Sequence, residues 1–155
     1  MFLTTHAALG ALLAELVPNH PYAAFAIGLG SHFISDIIPH GDTHLYKGFV
    51  SGTKVRRALA YVTVDGIIAL FFSLFLLNVK PADTHLVTTF GIIGGVLPDL
   101  LVGAYEIKRI KWLRSFHRFH FYFHNRISGT LGDLSFPSGF AMQLLFLAAL
   151  LTRLI

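Results

Sequence analysis

The sequence contains no cysteine among its 155 residues, and charged residues are scarce. Without cysteine the chain can form neither a disulfide framework nor a thiolate metal site, so any metal ion must be bound through nitrogen and oxygen atoms. Only 13% of the residues are charged, whereas 54% are hydrophobic. This balance excludes an ordinary water-soluble domain of this length and indicates an integral membrane protein.

Long apolar segments are abundant, and five of them are interpreted as helices. They cover residues 2–17, 20–39, 57–79, 86–104 and 135–155. A helix needs about 20 residues to cross the hydrocarbon core of a bilayer, so the last four segments are long enough and the first is marginal. We therefore expect an all-α polytopic membrane helix bundle with about four to five membrane helices. We expect residues 1–155 to form a single membrane-embedded domain, because no linker separates a second one.

Basic residues are concentrated in two connecting segments. The loop at 40–57 contains four lysine or arginine residues, and the segment at 105–133 contains six. Positively charged loops tend to stay in the cytoplasm. We therefore expect an integral protein of the cell membrane in which both segments face the cytoplasmic side.

Ionisable side chains converge toward the cytoplasmic ends of these helices. Helical positions place the following residues at one depth: His6, His32, Asp36, Asp65 and Asp99. Ionisable groups are costly inside a membrane unless they face the bundle interior and find partners there. Their convergence from four helices therefore predicts one shared site.

Small residues recur at intervals of four beside these polar groups. The stripes are Ala24-Gly28-His32-Asp36, Gly91-Gly95-Asp99-Gly103 and His6-Gly10-Ala14. Small side chains let helix backbones approach closely, so each stripe predicts a packing seam with its polar members pointing into the seam.

The stretch S-H-F-I-S-D-I-I-P-H-G-D at 31–42 predicts a divalent metal site. His32 and Asp36 lie one helical turn apart and can give an imidazole nitrogen and a carboxylate oxygen to one ion. His40 can reach back from the helix end, while His6 and Asp99 arrive from other helices. We expect one or two zinc ions, although another divalent metal would also suit these ligands.

The basic segment at 108–126 predicts an amphipathic helix whose histidines share one face. His117, His120 and His124 follow at intervals of three and four. In one interpretation this helix lies in the membrane interface, where its aromatic and basic residues contact lipid headgroups. In the other, one histidine, assigned as His117, completes the metal site and Arg114 or Arg118 binds a substrate phosphate. The two interpretations are compatible.

Several motifs resemble those of a known superfamily. T-T-H-A-A-L-G near the amino terminus and S-H-F-I-S-D-I-I-P-H-G-D are similar to motifs of the zinc-dependent phospholipase C and single-strand nuclease superfamily. The membrane version resembles the predicted membrane-bound metal-dependent hydrolases, whose P-D motif is similar to V-L-P-D-L at 96–100. The resemblance implies metal binding by His6, His32, Asp36 and Asp99.

We therefore expect a phospholipase C-like or phosphatase-like hydrolase of a phosphoester, with a phospholipid or another amphiphilic phosphate as substrate and no nucleic acid as partner. A bound metal ion would activate water, with Asp36, Asp65 or Asp99 binding metal or accepting the proton. An ion or proton transporter that uses the same histidines and aspartates is the main alternative. A non-catalytic membrane module stabilised by metal is the third.

Overall fold

The computed structural model describes all 155 residues and consists of helices and connecting loops, without β-strands. The helices are α1 (Leu3–Ala14), α2 (Pro21–Asp36), α3 (Thr43–Val50), α4 (Val55–Val79), α5 (His85–Lys108), α6 (Leu113–Leu131) and α7 (Phe136–Leu154). A short 3-10 helix, Ala82–Thr84, precedes α5. The predicted all-α fold is confirmed, with α3 as an additional helix inside the loop predicted at 40–57.

Three helices are long and apolar enough to cross a membrane. They are Val55–Val79, Ala82–Lys108 and Phe136–Leu154. The second of these comprises the 3-10 helix and α5 together. Along α4, large apolar side chains such as Ile67, Leu70 and Phe71 are exposed, as is typical of a surface that contacts lipid. The central helices α1 and α2 contain 12 and 16 residues, fewer than the roughly 20 that a complete crossing requires.

Helices α1, α2 and α5 approach one another through glycine. A Cβ atom on Gly10 or on Gly28 would collide with the carbonyl oxygen of Gly91, and a Cβ on Gly95 would collide with that of His6. Only glycine permits this backbone approach, so the predicted packing seam is confirmed at these positions. Gly103 differs, because a Cβ there would meet no atom within 4 Å.

Helix α6 lies against the end of the bundle that contains the predicted site. Its buried residues are Leu113, His120 and His124, whereas Arg114 and Arg118 are exposed. The predicted amphipathic helix is thus present, although it covers 113–131 rather than 108–126. Helix α5 ends at Lys108, and the left-handed backbone of the next residue, Arg109 (φ 49°), separates it from α6.

Candidate metal centre

A first cluster of possible metal ligands forms where α2, α5 and α6 meet. His32, Asp36, Asp99 and His120 each offer one ligand atom, and these atoms lie within 4.8 Å of one another. His32 Nε2 is 3.3 Å from Asp36 Oδ2 and 3.8 Å from Asp99 Oδ1. His120 Nε2 is 3.6 Å and 3.7 Å from the same two oxygens. A tetrahedral zinc ion with bonds of about 2.0–2.1 Å places its ligand atoms about 3.3–3.4 Å apart, and the four separations here exceed this by at most about 0.5 Å.

Hydrogen bonding in this cluster leaves two acceptor atoms facing each other. His32 Nδ1 lies 2.7 Å from the carbonyl oxygen of Gly95, which can only accept, so Nδ1 carries the hydrogen and Nε2 presents a lone pair whenever the ring is neutral. That lone pair faces Asp36 Oδ2, and both atoms are buried without a hydrogen-bond partner. Unpartnered buried acceptors are costly unless a cation binds them. The donor set therefore fits a divalent metal ion.

His6 contacts the same carboxylates from α1. Its Nε2 atom is 3.0 Å from Asp36 Oδ1 and 3.8 Å from Asp99 Oδ2, and its ring stacks on that of His32 with centroids 4.0 Å apart. The structure therefore brings together four of the residues that the sequence analysis assigned to the metal.

A second cluster combines the segment after α2 with α6. His40 Nε2 is 3.1 Å from Asp42 Oδ2, and His124 Nε2 is 3.3 Å from Asp42 Oδ1. His40 repeats the arrangement of His32, because its Nδ1 donates to the carbonyl oxygen of Ile38 at 2.7 Å and leaves Nε2 facing a carboxylate. Three protein ligands of this kind are typical of a metal site that keeps one position open for water or substrate.

The charge balance around the second cluster favours an ionised carboxylate. Burial opposes ionisation of Asp42, but the hydrogen bond from His124 and the nearby His40 outweigh it and hold the pKa of this carboxyl well below its usual range. Burial likewise disfavours a charged His124, and the hydrogen bond to Asp42 more than compensates, so that the pKa of His124 is raised. Asp42 is therefore available as an anionic ligand.

One cationic group lies between the two clusters. The ammonium group of Met1 is 2.8 Å from Asp36 Oδ1 and 2.7 Å from His40 Nε2, so the clusters are immediate neighbours. Burial lowers the pKa of this amino group, but Asp36, Asp42 and Asp99 outweigh that effect and raise it to about 10. The space shared by the clusters therefore stabilises positive charge.

Side chains from the end of α6 to α7 hold the second cluster in place. Asp133 accepts hydrogen bonds from the backbone N–H groups of Gly41 at 2.8 Å and Thr43 at 3.0 Å. Gln143 donates from Nε2 to the carbonyl oxygen of His40 at 3.1 Å. These contacts fix the backbone on both sides of Asp42.

Asp65 and His117, which were also predicted as site residues, lie outside both clusters. Asp65 accepts hydrogen bonds from the backbone N–H groups of Leu3 and Thr4 at 2.6 Å and 3.3 Å and thereby holds the start of α1. His117 Nε2 lies 2.8 Å from Glu106 Oε1, in a polar group separate from both clusters. On α6 the residues in groups that could hold a metal ion are His120 and His124, the other two histidines of the predicted face.

An apolar cavity of about 370 Å³ opens beside the two clusters. Its polar wall includes Asp42, Asp99, His120 and His124, so it gives access to both clusters. Asp65 also lines the cavity, whereas Arg114 and Arg118 do not. A molecule in this cavity would contact the carboxylates and imidazoles directly.

Fold and site together define an all-helical chain with three helices suited to membrane crossing and two His/Asp clusters that could each hold a metal ion. Comparisons of the chain with protein-family models, with characterised proteins and with solved structures find no match.

Proposed function

We propose that this chain is a membrane-bound, zinc-dependent hydrolase that cleaves a phosphoester in a phospholipid or another amphiphilic phosphate. The observation that supports it is the opening of two adjacent His/Asp clusters onto one apolar cavity. A phosphate requires cationic partners, which bound metal ions would provide, while an alkyl chain requires apolar walls. The motif resemblance to metal-dependent phospholipases points in the same direction.

In this proposal each of the two clusters would hold one metal ion. Bound zinc would polarise a phosphoryl oxygen and lower the pKa of a bound water molecule. His32, Asp36, Asp99 and His120 would hold one ion, and His40, Asp42 and His124 would hold the other.

Asp99 is the carboxylate best placed to take a proton from the attacking water. Its side chain is 25% exposed and lines the cavity, whereas that of Asp36 is 1% exposed, does not line the cavity and lies closer to His6 and His32, at 3.0 Å and 3.3 Å. Asp65 already accepts hydrogen bonds from the start of α1, so its role is to position that helix. Asp99 therefore combines metal binding with general-base geometry.

A transport function would require a polar route beyond the clusters. On the side away from α6, α1, α2 and α5 are in backbone contact at Gly10, Gly28 and Gly91, and the seam between them is lined by glycine and alanine. Such a seam offers no ligands to a moving ion. This packing favours hydrolysis over transport.

The site is proposed to face the cytoplasm, because it lies at the end of the bundle that carries the basic segments. A single cysteine introduced at the exposed Thr53 tests this orientation, since the chain has no other cysteine. In intact cells, a membrane-impermeant thiol reagent should leave it unlabelled. Labelling would place the site on the outer side.

The function is tested by hydrolysis of phospholipid vesicles by the purified protein. We expect release of a phosphate-containing product that stops when a chelator removes the metal and resumes when zinc is restored. His44→Ala provides the control, because His44 is exposed and lies in neither cluster, so it should match the parent. Metal-bound protein that cleaves none of a panel of phosphoester lipids would contradict the proposal.

A further inference from the structure

We propose that the cavity beside the clusters binds one hydrocarbon chain of the substrate and that this chain enters from the bilayer between α4 and α5. The identity of the phosphate end rests on the proposed function, whereas chain binding depends on the cavity itself. The proposal defines the substrate as a lipid that stays in the membrane while its headgroup reaches the metal centre.

Both apolar and polar side chains line the cavity. Apolar side chains reach it from four helices: Leu45 and Phe49 from α3, Val62 from α4, Val102 from α5 and Phe121 from α6. Carboxylates and imidazoles of both clusters line the same space. This combination suits an amphiphile with a charged head and an alkyl tail.

The cavity reaches the lipid-facing surface of the bundle. Val62 on α4 and both Leu100 and Ile107 on α5 line the cavity, although these side chains are 57%, 55% and 71% exposed. Both helices are long and apolar enough to cross a membrane. Exposed apolar residues that also line a cavity mark its mouth, and a mouth between two membrane helices opens toward lipid rather than water.

The size of the cavity limits the occupant to one chain. Its volume of about 370 Å³ lies near the lower end of the range of about 300–1,000 Å³ found for ligand sites. Because the chain passes from the bilayer into another apolar environment, the space available in the cavity, rather than transfer out of water, decides whether the chain binds.

Gly103 allows the cavity to be filled without disturbing the packing of the bundle. It lies on α5 and lines the cavity, and a Cβ atom there would meet nothing within 4 Å. Gly103→Leu would therefore put a side chain into the space assigned to the lipid. Gly30→Leu is the matched control, because Gly30 is also helical with open space at its Cβ position but does not line the cavity.

The test uses a phospholipid with a diazirine at the end of one acyl chain, incorporated into phosphatidylglycerol vesicles with the metal-loaded protein. After illumination, mass spectrometry identifies the labelled residues. We expect labelling of Phe121 and Leu45 inside the cavity and of Leu145, which is exposed on α7 and reports general lipid contact. Gly103→Leu should strongly lower interior labelling, since its side chain occupies the space assigned to the lipid, and should leave labelling of Leu145 unchanged.

Two results would overturn the inference: no labelling of Phe121 or Leu45 in the parent, or equal interior labelling in the parent and Gly103→Leu. Gly103→Ala, which adds one methyl group, should give an intermediate loss, and melting temperatures and metal content confirm that the variants are folded. Photolabelling requires no hydrolysis. Interior labelling of a protein that cleaves no phosphoester would thus support the chain site and contradict only the proposed function.

Discussion

The two clusters repeat one chemical arrangement on different supports. In each, a histidine donates from Nδ1 to a backbone carbonyl and presents Nε2 to a carboxylate. The first cluster is built on packed helices, and its Asp36 side chain is 1% exposed. The second depends on a loop held by Asp133 and Gln143, and its Asp42 side chain is 27% exposed. We infer that the helix-built first cluster contributes more to stability, whereas Asp42 of the second cluster, like Asp99 of the first, is open to substrate in the cavity.

The largest expected effect comes from removing ligands of the first cluster. With His32 and Asp36 both changed to alanine, His6 and His120 remain buried opposite Asp99 without their main partners. Breaking such a buried charged network costs about 3–5 kcal/mol, in addition to the lost metal-binding energy. We expect the double variant to lose metal and to melt at a markedly lower temperature than the parent.

His44→Ala serves as the control for this experiment, since it removes an exposed imidazole outside both clusters. Unchanged metal content and melting temperature in the double variant would show that the first cluster is neither a metal site nor a stabilising network.

An intermediate effect is expected from the support of the second cluster. Asp133→Asn keeps the shape of the side chain but removes the charge that accepts hydrogen bonds from Gly41 and Thr43. Mutation of a residue that orients a metal ligand typically lowers metal affinity about 10–100-fold. Metal titration should therefore show weakened binding at one site of two. Equal weakening of metal binding at both sites would show that Asp133 does not support the second cluster alone.

The contribution of Asp133 to the stability of the fold depends on pH. Partial burial opposes its ionisation, but the N–H groups of Thr43, Gly41 and Leu134 outweigh burial and lower its pKa below the ordinary 3.8. A carboxyl whose folded-state pKa is lowered stabilises the fold above its unfolded-state pKa, and this stabilisation is lost as pH falls through the folded-state value. The difference in melting temperature between parent and Asp133→Asn should therefore be largest near neutral pH and shrink below about pH 4.

The smallest effect is expected on α6. Arg114 and Arg118 are exposed and do not line the cavity, so an anchoring role requires only positive charge, worth about 1 kcal/mol per residue with either lysine or arginine. Lysine variants at each position should keep hydrolysis within about twofold of the parent. A larger loss of turnover with intact metal content would instead support the hypothesis that an arginine grips a substrate phosphate bidentately.

Helical periodicity explains how much of this molecule could be predicted from its sequence. The apolar segments predicted α1, α2, α4, α5 and α7 but not α3, and the convergence of His6, His32, Asp36 and Asp99 followed from their depth and spacing. The glycine stripes predicted the α1–α2–α5 seam because close backbone packing requires small residues at a spacing of four.

The second cluster could not be predicted in full, because its geometry depends on contacts distant in sequence. Asp133 and Gln143 reach the loop from 90 or more residues away, and no local pattern identifies such partners. Which of His117, His120 and His124 faces each cluster depends on the rotation of α6. Their shared position on one helical face does not determine that rotation. Asp42 follows His40 by two residues, a spacing that becomes meaningful only once the loop is folded.

Metal quantification by mass spectrometry on the purified parent and His124→Ala proteins tests the central claim most directly. His124 contributes to the second cluster alone, so the account predicts two ions per parent chain and one per variant chain. Zinc should be the metal recovered, and a chelator should lower the melting temperature of both proteins. A parent protein that binds no divalent metal, with a melting temperature unaffected by chelator, would contradict the account.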